Sequence, residues 1–133
     1  MANIERITPE GVYKPFRNIY TQVVKASGGT MVYVAGTVPN DEQGNVVGKD
    51  DMAAQARMTW QNIGKSLEAA GATPSDVVKI NTFVTDVAAY IEHGIPVLEG
   101  FFGDKRPIST LVEVSKLVNP DWMVEVEVTA IID

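Results

Sequence analysis

Two glutamates, Glu125 and Glu127, alternate with Val124, Val126 and Val128 near the end of the chain. A carboxylate held at a fixed position can order a water molecule and take a proton from it, which is general acid–base work. Alternating glutamates are equally the ordinary solvated face of a half-buried strand. The pattern alone leaves both readings open. A second cluster is Lys105-Arg106-Pro107, with Ser109 two residues beyond the proline. A guanidinium can hold a carboxylate through two parallel hydrogen bonds, so Arg106 is a candidate anion contact; the plain alternative is a charged turn. Ser109 reads as a hydrogen-bond donor or as a small strand residue. His93 is the only histidine, and no second ligand beside it suggests a metal. The loop at 40–45 is acidic, yet it lacks the alternating ligands and closing glutamate of a calcium loop.

Several chemistries are absent altogether. There are no cysteines, which removes a disulfide framework, a thiolate zinc site and a cysteine nucleophile together. No phosphate-cradling glycine motif and no Ser/His/Asp order is present. The formal charge is −6, with 17 acidic against 11 scattered basic residues. A surface that grips phosphates needs clustered cations, so a small polar or neutral ligand is the expected partner rather than nucleic acid. The segment 1–10 already carries Glu5, Arg6 and Glu10 and lacks the apolar core of a signal peptide. No apolar run approaches a membrane span. A cytoplasmic protein without membrane partners is the expectation.

The elements that must position these residues follow from periodicity. With 133 residues and a 45% hydrophobic fraction, the chain is expected to form a single domain over 1–133 with a real core. Ile4 and Ile7 mark a short strand at 3–8. Strands at 20–26 and 30–36 flank Ser27-Gly28-Gly29 and read as a hairpin. Asp50 and Asp51 stand at the head of a helix whose stripe is Met52, Ala56, Trp60, Ile63, Leu67 and Ala70; Gly71 and Pro74 end it. A strand at 77–85 follows. Asp86 caps a second helix, which His93-Gly94-Ile95-Pro96 is expected to break or bend. Strands at 108–117 and 123–132 read as a closing hairpin around Asn119-Pro120-Asp121.

Two helices cover one face of such a sheet, so the other face must be polar or paired. Alternation assigns Met31, Tyr33, Phe83, Leu111 and Leu117 to the face away from the helices, together with Ser109 and Glu125. A joined apolar patch of that kind predicts a closed homo-oligomer.

Several strings line up with one known family. Tyr20-Thr-Gln-Val-Val-Lys-Ala-Ser-Gly-Gly, Val32-Tyr-Val-Ala-Gly-Thr-Val-Pro39, Gln55-Ala-Arg-Met-Thr-Trp-Gln-Asn-Ile63, Phe83-Val-Thr-Asp86 and Val124-Glu-Val-Glu127 resemble, in order, the RidA (YjgF-type) family. The resemblance covers nearly the whole chain. It implies a chorismate-mutase-like α/β (α+β) fold: one mixed six-stranded sheet with two helices on one face. It also implies a homotrimer with small-molecule clefts between subunits. Well-known members hydrolyse reactive enamines and imines to a carbonyl compound and ammonia without a cofactor, and none is expected here.

Carried over position by position, the resemblance puts the water-handling glutamate at Glu125, the cleft tyrosine at Tyr20 and the backbone glycine at Gly36. The carboxylate-binding arginine falls on Ser109, the usual asparagine on Ile95 and the usual serine on Ala35. Leu111 and Arg106 complete the expected substrate contacts. The chain therefore resembles an arginine-lacking branch. It is expected to be an enamine/imine hydrolase of altered substrate choice. The alternatives are a non-catalytic ligand-binding or regulatory trimer and, behind both, a ribonuclease-like activity.

Overall fold

A computed structural model describes residues 1–133. The strands are β1 (Asn3–Ile7), β2 (Val23–Ser27), β3 (Thr30–Thr37), β4 (Val77–Val84), β5 (Ile108–Glu113) and β6 (Val124–Ile132). The long helix is α1 (Met52–Ala69). A second helical stretch runs through α2 (Val87–Ala89), a π-helical turn at Tyr90–Gly94 and α3 (Ile95–Phe102).

The strands form a four-stranded mixed sheet in the order β3-β6-β4-β5 and a separate two-stranded antiparallel ribbon, β1-β2. The expected single six-stranded sheet is thus divided. Gly28 and Gly29, both at φ 69, form the left-handed pair typical of a tight hairpin turn. β2 nevertheless pairs with β1, and β3 with β6. The expected β2/β3 hairpin does not form. Nor does a hairpin of the last two strands. β5 runs parallel to β4, and β6 lies antiparallel on the other side of β4. A parallel pair needs a crossover, which the helical stretch from Val87 to Phe102 supplies. β5 also ends at Glu113 rather than at 117.

The register fixes the faces. Val78, Ile80, Thr82 and Val84 of β4 are buried, as are Val124, Val126, Val128 and Ala130 of β6. α1 covers this side with Met52, Ala56, Trp60, Ile63 and Leu67, the stripe read from the sequence without Ala70, which is its exposed C-cap. Asp51 caps α1 by accepting the Ala54 N–H at 3.1 Å. Trp60 joins α1 to α3, its ring centroid 4.8 Å from Phe101 and 5.3 Å from Phe102. On the opposite face Tyr33 is 75% and Met31 44% exposed, as alternation required. Phe83, half-buried, pairs in register with Glu125 there.

Leu111 and Ser109 are a correction. The register matches Ile80 with Ser109 and Thr82 with Leu111, and paired residues point to the same side. Both therefore lie on the helix side, opposite Glu125. Parity within β5 separates Ser109 and Leu111 from Ile108, Val112 and Val114, but it does not say which set turns inward. The larger apolar set suggested the wrong one, and Val112 is in fact exposed.

Pro96 does not break the second helix. It falls in the first turn of α3, where no intrahelical N–H is needed. The bend is absorbed by the π turn at Tyr90–Gly94. Gly94 is required there for another reason: a Cβ at that position would collide with the ring of Tyr90.

One fully buried polar side chain ties the loops to this frame. The Gln55 Nε2 donates to the carbonyls of Gly48 at 3.2 Å and Asp121 at 2.9 Å, and its Oε1 accepts the Met123 N–H at 2.7 Å. Replacing it by leucine strands all three backbone groups in the interior. Gln55→Leu is expected to lower stability by about 2–4 kcal/mol, read as a lower urea midpoint at unchanged slope.

Candidate functional site

A cavity of about 200 Å³ lies between β4, β5 and the second helical stretch. Its walls include Phe16, Ile19, Tyr20, Ile95, Ser109 and Leu111. Tyr20, Ile95, Ser109 and Leu111, four of the positions singled out from the sequence, are thereby brought together. Each arrives for a local reason. Ser109 and Leu111 are neighbours of Ile80 and Thr82 on the inward face of β5. Ile95 is buried at the start of α3, immediately after the π turn. Tyr20 follows the short turn Phe16–Asn18, in which Arg17 and Asn18 adopt φ 50 and 56.

Arg106 fastens that turn and does not reach into the cavity. Its guanidinium donates to the Gly103 carbonyl at 2.7 Å and to the Asn18 carbonyl. The Arg106 carbonyl in turn accepts from Thr21 and, at 3.3 Å, from Arg6. Two of the three guanidinium nitrogens of Arg106, Nε and Nη1, are thereby committed to backbone carbonyls. Lys105 lines a different hollow, beside Arg6 and Asp133.

The remaining candidates sit on the far side of the sheet. Glu125 lies half-buried on β6, facing away from the cavity. Its carboxylate rests against Gly36: a Cβ there would collide with Glu125 Oε2. Gly36 and Ala35 occupy the irregularity of β3 where the register against β6 shifts between Val34 and Thr37. Next along β6, Glu127 Oε1 accepts from Asn81 Nδ2 at 2.8 Å. That bond makes Glu127 a cross-strand partner and leaves Glu125 as the uncommitted carboxylate of the pair. Within one chain, then, the sequence-derived site divides into two parts. Tyr20, Ile95, Ser109 and Leu111 form one; Ala35, Gly36 and Glu125 form the other.

The cavity walls also include Thr82 and Tyr90, which the sequence reading did not single out. Tyr90 reads as one more apolar position of a helix, and only its aromatic hydroxyl marked it as different. Its hydroxyl, the Thr82 hydroxyl and the Trp60 indole N–H are buried without a hydrogen bond of full geometry. Burial pushes the Tyr90 phenol from 10.0 to about 12, and the adjacent Trp60 and Thr82 oppose part of that rise.

Comparison with known proteins bears on the family and the fold. The family model described as Endoribonuclease L-PSP matches residues 14–132. A RutC family protein of Pyrococcus horikoshii is 33% identical over 126 residues, covering 95% of this chain and 96% of its own. The chain belongs to the YjgF/Rid (L-PSP) family. A Rid-family protein of unknown function from Yersinia pestis, YyfB, superposes with a TM-score of 0.90 at 29% identity, covering 98% of this chain and 99% of that one. The YjgF gene product of E. coli matches with a TM-score of 0.68 at 32% identity over 86% and 88% of the two chains. The Rid fold accounts for the mixed α+β architecture.

The Tyr90 phenol carries a pH signature. An unfolded tyrosine releases its proton near 10.0, the buried one only near 12. Stability should be intact below the first value and fall as pH rises through that window. In thermal melts across it, Tyr90→Phe is expected to show a shallower decline than the native protein.

Proposed function

We propose that this Rid-family protein hydrolyses a reactive imine or enamine to a carbonyl compound and ammonia, in a cleft completed by a second copy of the chain. The division of the candidate residues between opposite sides of the sheet carries this reading. Glu125 and Gly36 lie on the face that also exposes Met31 and Tyr33, whereas Tyr20 and Ser109 line the cavity on the other side. A closed ring, with three subunits as the family resemblance suggests, would set the Glu125 face of one copy against the cavity mouth of the next. Burying Met31 and Tyr33 in that contact would supply the apolar driving force.

In that arrangement Glu125 orders a water and accepts its proton as the oxygen adds to the carbon of C=N. The proton returns to nitrogen, the C–N bond breaks, and a C=O group and ammonia remain. The overall change is R₂C=NH + H₂O → R₂C=O + NH₃, with no oxidation or reduction. The bulged turn at Gly36 lets the carboxylate lie close to the backbone. A fixed position of this kind is what a general base requires.

A second reading, a ligand-binding trimer without catalysis, draws support from the same cavity. Ile95, Ser109 and Ala35 stand where polar family contacts are expected, and a loss of three of them at once suits binding without turnover. A ribonuclease-like activity has less support, because the chain carries a net −6 and its cations are scattered.

Imine decay separates the first two. An imine generated in situ, from an amino acid by an amino-acid oxidase or from an alkylamine by an amine oxidase, should in at least one of the two cases disappear faster with the native protein than in buffer. Glu125→Gln is expected to reduce that acceleration about 100-fold or more, in line with the loss of a general base. Decay at the buffer rate with the native protein, for charged and uncharged imines alike, would leave the binding reading standing. Sedimentation at micromolar concentration tests the assembly: a monomer there would remove the shared cleft.

A further inference from the structure

Within one chain no charged side chain lines the cavity. Its walls are Phe16, Ile19, Ile91, Ile95, Leu98 and Leu111, with Tyr20, Tyr90, Thr82 and Ser109 as the polar members and no charged side chain among them. None of the basic residues near it belongs to its lining. Arg106 donates to the carbonyls of Gly103 and Asn18. Arg6 donates to the carbonyls of Arg106 and Ser75, at 3.3 and 3.0 Å. Arg17 stacks its guanidinium over the outer, exposed ring of Phe16, 5.0 Å from the centroid, beside the cavity but outside its lining. Lys105 faces the separate hollow beside Asp133.

A carboxylate entering this space would give up its water for apolar walls and a single small hydroxyl at the β5 position. Burying an ionised carboxylate without a charged partner is among the most costly transfers in a protein. An alkyl body, by contrast, gains free energy for every methylene removed from water. Size narrows the occupant further. The volume of about 200 Å³ falls below the roughly 300 Å³ at which drug-sized sites begin.

We infer that the substrate of this protein is uncharged at its carbon end: the imine or enamine of a small aliphatic ketone or aldehyde, not of a keto acid. This rests on the reading of the cavity as the substrate-binding half of the site. Ser109 then acts as a specificity determinant. Its short side chain keeps the space open and neutral where a long cation would fill and charge it. Ile95 contributes the complementary apolar wall at the start of α3.

Binding can be measured apart from turnover. Methyl isopropyl ketone and the keto acid in which a carboxylate replaces its methyl group have nearly the same shape. Each is titrated into the full-length protein while the methyl resonances of Ile95 and Leu111 are followed by NMR. The ketone is expected to shift those methyls saturably, with the keto acid at least about tenfold weaker, since a charge-assisted partner is missing. Ser109→Arg is expected to reverse the order of preference.

Keto-acid binding to the native protein as tight as that of the ketone would overturn the inference, as would a ketone that leaves both methyls unmoved. Imine decay is followed in parallel with the ketimine and the imino acid. Ketone binding without accelerated decay of the ketimine removes the hydrolase reading but leaves the occupant's class intact. Accelerated decay of the imino acid alone, with preferred keto-acid binding, removes the inference but leaves hydrolysis intact.

Discussion

The alternation of β6 between its two neighbours is the constraint on which the other features depend. This strand hydrogen-bonds to β3 on one side and β4 on the other, so its register cannot slip without disturbing both. Val124, Val126, Val128 and Ala130 are buried against the helices, and period-two geometry then leaves Glu125 and Glu127 no choice of face. A one-residue slip would bury two carboxylates and expose four apolar side chains. The position of the uncommitted carboxylate is therefore a by-product of core formation, held by hydrophobic burial rather than by polar contacts of its own.

The helix side is organised around a second fixed point. Trp60 packs between Phe101 and Phe102, which anchors α3 to α1 and brings Ile95 over β4 and β5. The π turn at Tyr90–Gly94 adds the extra residue needed to bring Tyr90 inward, and Gly94 leaves room for its ring. π turns recur at functional sites; here one carries Tyr90 and Ile91 and leads into Ile95, all three of them walls of the same cavity. On the other wall, Arg106 holds the Phe16–Asn18 turn, in which two non-glycine residues have left-handed backbone angles. Such angles persist where surrounding contacts over-determine them.

Much of this was legible in the residues. The stripe of α1, its Asp51 cap, the inward set Val78-Ile80-Thr82-Val84 and the outward pair Met31 and Tyr33 all follow from periodicity, because each element is long enough for its pattern to be unambiguous. What was not legible depends on pairing between distant strands. β5 is six residues long and carries apolar residues on both sides, so only its match to β4 shows that Ser109 and Leu111 turn inward. The two expected hairpins failed for a related reason. Closeness in sequence favours pairing of successive strands, but β2 pairs with the preceding β1 and β5 with the preceding β4 through the helical crossover, which leaves β6 to lie between β3 and β4. The candidate residues were found by type and resemblance, while their division between two faces required the register. Nothing in the sequence showed that the Arg106 guanidinium would be occupied by backbone carbonyls.

The three bonds of Gln55 have a kinetic meaning. They join the first turn of α1, the loop carbonyl of Gly48 and the backbone that leads into β6. Trp122 adds an indole bond to Asn40 at 2.9 Å, and Asn62 of α1 donates to the carbonyls of Val38 and Asn40. Loops are commonly the parts of a protein that open alone. Here the segments flanking Gly36 and Glu125 are stitched to the interior of the longest helix. The amide of Met123 would then exchange its hydrogen only when α1 itself lets go. The neighbourhood of the carboxylate would share the lifetime of the native state, with its ordering entropy already spent during folding and none left to be lost when a ligand arrives.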